Sequence, residues 1–193
     1  MMKNSNKIRI INLIEKDIIQ NSVNKLDPHL FSFLTKEYFI YICFNPVWKS
    51  KNFPSIFLIS QQQHTIMKSF ENQDDVYSVG LYMGFIKQGN FFISLELLEF
   101  LLKKGVLPNA KSLYLNKKGE KSILYGNNIL KTMITDISGI FQTGESLLIF
   151  NELKEIIAIA LSKIDSKDLE NCDPEDIVAI NLIDKGYYLR VKQ

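Results

Sequence analysis

From Ser112 onward the chain is cut into short apolar runs that are long enough for strands and too short for most helices. Ser146–Phe150, Glu155–Leu161, Ile177–Ile183 and Tyr187–Val191 are rich in Ile, Leu, Val or Tyr and are separated by clusters of Gly, Asn, Asp and Lys. Ser112–Asn116 reads as a further strand, with Lys117-Lys118-Gly119 as the turn that follows it. Between them, Ser122 to about Met133 carries helical spacing at Ile123, Ile129, Leu130 and Met133. Several short strands at this spacing imply a small closed or nearly closed barrel.

The first half has another texture. Residues Ile8 to about Val23 place Ile11, Ile14 and Ile18 at three- and four-residue intervals, which predicts an amphipathic helix, with Ser5 and Asn6 as N-cap candidates. Asp27-Pro28 ends any continuation, because a residue before proline is pushed out of the helical region. Tyr38–Phe44 is aromatic and β-branched, the composition of a strand, and Asn45-Pro46 closes it. Ser55–Ile59 is a second strand, and Ser60 caps a helix over Gln61–Phe70 with Ile66, Met67 and Phe70 on one face. Asn72–Asp75 reads as a turn. Val76–Lys87 and Phe91–Ser94 then read as a hairpin joined at Gln88-Gly89-Asn90, with Gly80 and Gly84 marking close backbone approach. Leu95–Lys104 is a helix whose core side is Leu97, Leu98 and Leu101, and Gly105 follows it as C′. Val106–Ala110, holding Pro108 and Asn109, is the candidate boundary, giving domains at 1–107 and 108–193.

Charge and chemistry narrow the function. The net charge is +2 with pI near 8.4, below the roughly pI 9 that by itself marks a nucleic-acid binder. Residues 1–110 hold 12 Lys and Arg against 9 Asp and Glu, so a basic site has to be a local patch. The apolar runs fall short of the roughly 20 residues that cross a bilayer. The first residues carry charges through their apolar stretch, unlike a secretory signal, so no membrane association is expected. His29 and His64 lack partners at the spacing of a zinc or nucleophile motif, and His64, among glutamines on a helix, is expected to be exposed. Cys43 and Cys172 read as small buried hydrophobes. Asp74-Asp75 is an acidic pair without a partner motif. Asp173-Pro174, with Glu175 and Asp176, reads as the N-cap and first turn of a short helix. No enzyme, no cofactor and no metal is expected.

Two segments carry a family resemblance. Ser122-Ile123-Leu124-Tyr125-Gly126-Asn127-Asn128-Ile129-Leu130-Lys131 closely resembles the FLYGNHVLKS segment of the Nip-seven family of large-ribosomal-subunit biogenesis factors. Asp173-Pro174 with Ile177-Val178, and then Asp184-Lys185-Gly186-Tyr187-Tyr188-Leu189-Arg190, resemble that family's DP..IV and D.GEY.R segments. Weaker similarity runs back through Phe92–Leu101, Gly80–Phe85 and Ile56–Phe70. The chain departs from the pattern at Asn128, where the family usually has His, and at Thr132–Asp136, where it often has a Gly and a basic residue.

The resemblance implies an α+β protein: an N-terminal antiparallel sheet with packed helices (the pre-PUA domain) and a C-terminal PUA-type small β-barrel that binds RNA. It implies a non-catalytic factor of pre-rRNA processing and large-subunit assembly, binding U-rich or structured RNA and contacting ribosome-assembly proteins or the exosome. The alternative is a protein-interaction adaptor with little RNA affinity of its own. An RNA-modifying enzyme is disfavoured by the short N-terminal half. The candidate RNA contacts are Gly126, Asn127, Lys131, Lys163, Lys167 and Arg190. Gly126-Asn127 on a helical segment suggests either close packing or an approach by RNA backbone, and the Lys163–Lys167 loop is either an RNA contact or a solvated mixed-charge loop. In Asp184-Lys185-Gly186 the glycine fits a tight hairpin between two strands, leaving Arg190 near solvent. A monomer is expected. The high Ile, Lys and Asn content suits an AT-rich, archaeal source and a cytoplasmic location; a eukaryotic member would be nucleolar.

Overall fold

A computed structural model describes residues 7–44, 53–69, 76, 78–107 and 110–190. The chain divides into two compact units, Met1–Val106 and Leu107–Gln193. Asn45-Pro46, Phe70, the Asn72–Asp75 turn, Pro108-Asn109 and Val191 lie outside the described residues, as do the N-cap candidates Ser5 and Asn6.

In the first unit, strand β1 (Lys7–Ile10) is followed by helices α1 (Leu13–Val23) and α2 (Leu30–Glu37) and then by β2 (Phe39–Phe44). Next come β3 (Ser55–Ile59), α3 (Gln61–Ser69), the hairpin β4 (Leu81–Lys87) and β5 (Asn90–Ile93), and α4 (Leu95–Lys103). All five strands form one antiparallel sheet in chain order.

The helix expected from Ile8 starts only at Leu13. Ile8 and Ile10 alternate with Lys7 and Arg9, a strand period that the isoleucines continuing into α1 disguise. Asn12 sets the start: its Oδ1 accepts the Glu15 N–H at 2.9 Å, while the Glu15 carboxylate accepts the Asn12 N–H at 2.8 Å, a reciprocal capping box. Arg9 forks onto the same carboxylate at 2.6 and 2.8 Å and ties β1 to α1. The buried residues of α1 are Ile19 and Val23; Ile14 is exposed, so the core stripe is rotated from the expected one. Helix α2, which the sequence reading had not anticipated, buries Leu30, Phe31 and Leu34 over only two turns.

Side chains alternate across the sheet. Ile8, Tyr41, Cys43, Phe57 and Ile59 form a cluster on one face with Met67 of α3. Ile40, Ile42, Ile56 and Leu58 point the other way, under the buried residues of α1, α2 and α4. Gly84, at φ +138°, carries out the close approach expected of it: a Cβ there would collide with the Phe92 carbonyl across the hairpin. His64 corrects the expectation of exposure. It is 4% exposed, its Nδ1 lies 2.9 Å from the Tyr41 hydroxyl, and its ring stacks on Phe39 at 3.7 Å. Burial, with a smaller push from Lys68, lowers its pKa. On α3 it is His64 and Met67 that face inward, whereas Ile66 is exposed. The glutamines beside His64 belong to the wet side of the same helix.

The second unit contains β6 (Ser112–Leu115), α5 (Lys117–Leu124), β7 (Ile129–Leu130), β8 (Ile134–Ser138), β9 (Ser146–Phe150), β10 (Ile156–Ser162), β11 (Ile177–Asp184) and a helical turn, α6 (Tyr187–Arg190). The strands form a curled sheet in the order β7-β11-β10-β9-β6-β8, antiparallel except for the parallel pair β6 and β9. Leu113, Leu115, Phe141, Leu147, Ile149 and Val178 are among the residues that fill it.

Three expectations here are corrected. Lys117-Lys118-Gly119 is the first turn of α5, capped by Asn116 Oδ1 accepting from Gly119 N–H at 2.8 Å. Gly119 permits this because its α-carbon faces Met133, whose Cβ would lie 2.7 Å from an added one. The helix ends at Leu124 rather than running to Met133, and β7 and a 3₁₀ turn (Lys131–Met133) occupy the rest. Asp173-Pro174 opens a turn and not a helix: Asp176 Oδ2 accepts the Asp173 N–H at 2.9 Å, and β11 follows directly.

Candidate nucleic-acid interface

The motif Leu124-Tyr125-Gly126-Asn127 is the C-terminal stop of α5. Gly126 takes φ +88°. Its N–H donates to the Ile123 carbonyl at 2.8 Å, and the Asn127 N–H donates to the Ser122 carbonyl at 3.3 Å. These two bonds are the Schellman pattern, which satisfies carbonyls the helix would otherwise leave open. A left-handed residue at this position is why glycine is needed, and placing Gly126 inside a helix missed that signal. Asn127 Nδ2 returns to Ser122 Oγ at 3.2 Å and stiffens the loop.

Below the loop lies the segment that follows β11. Gly186 packs on the Leu124 carbonyl so closely that a Cβ would collide with it. The expected strand after Gly186 is instead the turn α6, which brings Arg190 back under Gly126. Arg190 forks onto Asp184 at 2.8 and 2.9 Å and also donates to the Leu124 carbonyl. Asp184 is only 2% exposed, and its hydrogen bonds raise the Arg190 pKa further. Asn181 completes the network: its Nδ2 donates to Asp184 Oδ2 at 2.9 Å and to the Ile123 carbonyl at 3.2 Å, and Asn128 Oδ1 accepts its N–H at 3.2 Å. A guanidinium held by three hydrogen bonds in this way positions the loop from below; the loop groups presented to solvent are Tyr125, Gly126 and Asn127.

The structure does not bring the six candidate residues to one point. Gly126, Asn127 and Arg190 gather at the Asn181–Asp184 end of β11. Lys131 and Lys163 border its start: Leu130 faces Ile177, and Lys163 N–H donates to the Val178 carbonyl at 2.8 Å. A strand rises about 3.3 Å per residue, so the two groups are separated by roughly 13 Å along β11. Lys167, on a 3₁₀ turn (Ser166–Asn171), is exposed and lies 3.8 Å from Asp165. Between the two ends the outward side chains of β11 are apolar: Ile177, Ile180 and Leu182 are all exposed. Tyr125 and Tyr187 are exposed aromatics beside the loop and the turn. Nothing in the hydrophobic periodicity had singled out this apolar strip.

Elsewhere in the unit, a groove of about 450 Å³ is lined by Tyr114, Asp136, Asn151, Glu152 and Lys154. Asn151 Nδ2 holds Glu120 and Glu155 at 3.0 and 2.9 Å, a bond set that fastens the β9–β10 turn to α5. Cys43 is buried as expected, while Cys172 is partly exposed, with its Sγ 3.5 Å from the Asp168 carbonyl. Among the described residues no three His, Cys, Asp or Glu side chains are grouped to hold a metal, and no helix is long and apolar enough to cross a membrane.

The curled sheet and the α5 loop define the class: the second unit is a PUA domain, and residues 111–193 match the UPF0113 PUA domain family. The fold is shared with solved archaeal proteins. A conserved PUA-domain protein from Thermoplasma acidophilum has a TM-score of 0.60 at 12% identity, covering 96% of this chain and 99% of that one. A protein from Pyrococcus horikoshii gives 0.62 at 10% identity, covering 92% and 94%. In sequence, the chain is 30% identical over 88 residues to a UPF0113 protein of Archaeoglobus fulgidus, covering 44% of this chain and 49% of that protein. It is 28% identical over 118 residues to the 60S ribosome subunit biogenesis protein NIP7 of Saccharomyces cerevisiae, covering 60% and 62%. The matches thus span half to three-fifths of these two relatives. With the motifs at Ser122–Lys131 and Asp184–Arg190, they are consistent with the Nip-seven family that the sequence resembles.

Proposed function

We propose that the chain is a non-catalytic, RNA-binding factor of large-ribosomal-subunit assembly, acting as a monomer in pre-rRNA processing. The observation that carries this reading is the locked loop of the PUA unit. Its exposed Gly126 and Asn127 offer backbone and amide groups without a bulky side chain, and Lys131, Lys163 and Lys167 stand farther along as candidate phosphate partners. The yeast relative, a 60S ribosome subunit biogenesis protein, supplies the process. Arg190 acts in this reading as the residue that holds the loop.

The test is fluorescence anisotropy with labelled oligo-U and oligo-A of equal length at two salt concentrations. Tighter binding to oligo-U, weakening with salt, is expected. Each lysine that pairs with a phosphate should lower the salt slope by about 0.7 when changed to alanine. Unaltered binding in Lys131→Ala, Lys163→Ala and Lys167→Ala alike would remove the residue assignment. A second reading has its own observation: the exposed Ile177, Ile180 and Leu182 suit an adaptor that contacts assembly proteins or the exosome. Absence of RNA binding at low salt would favour it.

A further inference from the structure

One face of the first unit's sheet is only partly covered. Helix α3 packs on it beside Phe39, Tyr41 and Ile59. Farther along, three phenylalanines form a continuous stack. The rings of Phe53 and Phe85 are 5.5 Å apart at 23°, and those of Phe85 and Phe92 are 5.1 Å apart at 9°. The strand register accounts for this: Phe85 faces Phe92 across the β4–β5 hairpin, so both rings rise from the same face. Phe53 is 40% exposed and Phe92 46% exposed. Because β5 is an edge strand, the position next to Phe92 in the stack lies outside the sheet.

Among the described residues, the charge placed against the stack is positive. Lys87 belongs to the same face as Phe85, two residues on, and its Nζ lies 4.9 Å from the centre of the Phe53 ring. Among the described residues, the strands of this unit contain Lys7, Arg9 and Lys87 and no carboxylate, and its Asp and Glu fall in helices or connections. The turn between β4 and β5 is Gln88-Gly89, and Gln88 and Asn90 are exposed amides. Aromatic faces open to water, beside cations and without carboxylates, are what unpaired nucleotides require. Bases stack on the rings and phosphates meet the cations, with little dependence on sequence.

We propose that the Phe53–Phe85–Phe92 stack is a second RNA site, for a single-stranded segment, in which an unpaired base stacks on the outer face of Phe92 and a phosphate of the same strand pairs with Lys87. The site stands on the first unit's own residues and does not depend on the PUA loop contacting RNA. Anisotropy of the full chain with short labelled oligo-U tests it, in the native background and in the Lys131→Ala/Lys163→Ala/Lys167→Ala background, so that failure at one site is separable from failure at the other. Phe92→Ala should weaken binding about fivefold or more in both backgrounds, while Phe92→Trp should retain it. Lys87→Ala should lower the salt slope by about 0.7. In the unaltered protein, photocrosslinking with 4-thiouridine RNA should label the peptide that holds Phe92, a readout that needs no variant to fold. Unchanged affinity in a folded Phe92→Ala chain, or crosslinks confined to residues 107–193, would overturn the proposal. Unchanged RNA affinity combined with loss of self-association in Phe92→Ala would instead make the stack a protein contact.

Discussion

Replacing Gly126 with alanine tests the lock on the PUA loop, and Gly144→Ala supplies the matched control. Both glycines have nearly the same left-handed backbone, at φ +88° and φ +86°. A Cβ at Gly144 meets nothing within 4 Å, so that variant should carry the conformational strain alone, about 1–2 kcal/mol. A Cβ at Gly126 lies 3.1 Å from Arg190 Cζ and 3.2 Å from its Nε and Nη2. The guanidinium cannot retreat freely, because it is held by Asp184 on one side and the Leu124 carbonyl on the other. Overpacking of this kind adds about 1–3 kcal/mol, so Gly126→Ala should cost about twice as much as Gly144→Ala. Gly126→Asn, which tolerates the left-handed region, should recover part of the strain and none of the contact. Amide hydrogen exchange of β9 and β10 reads the opening free energy of this unit separately from the first. Equal losses in Gly126→Ala and Gly144→Ala would refute the claim that Arg190 braces the loop.

Two further outcomes follow from the geometry. The folded state holds the His64 pKa below its ordinary 6.5, so the unfolded chain takes up the proton first as pH falls. Stability of the first unit should therefore be unaffected by His64 above about pH 6.5 and should decline as pH drops below it; melting curves at pH 7.5 and 5 in the native chain and in His64→Gln should show a smaller decline in the variant. Asn116→Ala removes both the α5 cap and the 3.0 Å bond from Nδ2 to the Thr132 carbonyl, and should cost about 1–2 kcal/mol by the same exchange measurement. Asn116→Asp, which keeps the cap and loses the other bond, should fall between.

What could be read from the sequence was what period and turn chemistry express locally. The strands at Phe39–Phe44, Ser55–Ile59, Ser146–Phe150 and Ile177–Asp184 announce themselves by β-branched and aromatic runs, and α4 by its leucines. The misread elements were those decided by distant partners. β1 is a strand because Cys43 and Tyr41 lie opposite Ile8 and Ile10, and α6 turns because Asp184 draws Arg190 back beneath Gly126. His64 is buried because α3 sets it against Tyr41 and Phe39, more than twenty positions earlier in the chain. The motif at Tyr125-Gly126-Asn127 was visible as a motif, and its sequence neighbours could not reveal that it was a helix stop.

The parallel pairing of β6 with β9 bears on how the chain reaches its native state. In the first unit the β2–β3 and β4–β5 pairs join segments near one another in sequence, whereas β3 meets β4 beyond α3 and β1 meets β2 beyond two helices. In the second unit Ser112 must find Leu148, and Leu130 must find Ile177. Loop closure over such separations is slow relative to hairpin formation, because ordering comes before the contacts that reward it. By contact order the second unit, which holds the PUA loop and the more remote pairings, is expected to be the slower of the two to become competent.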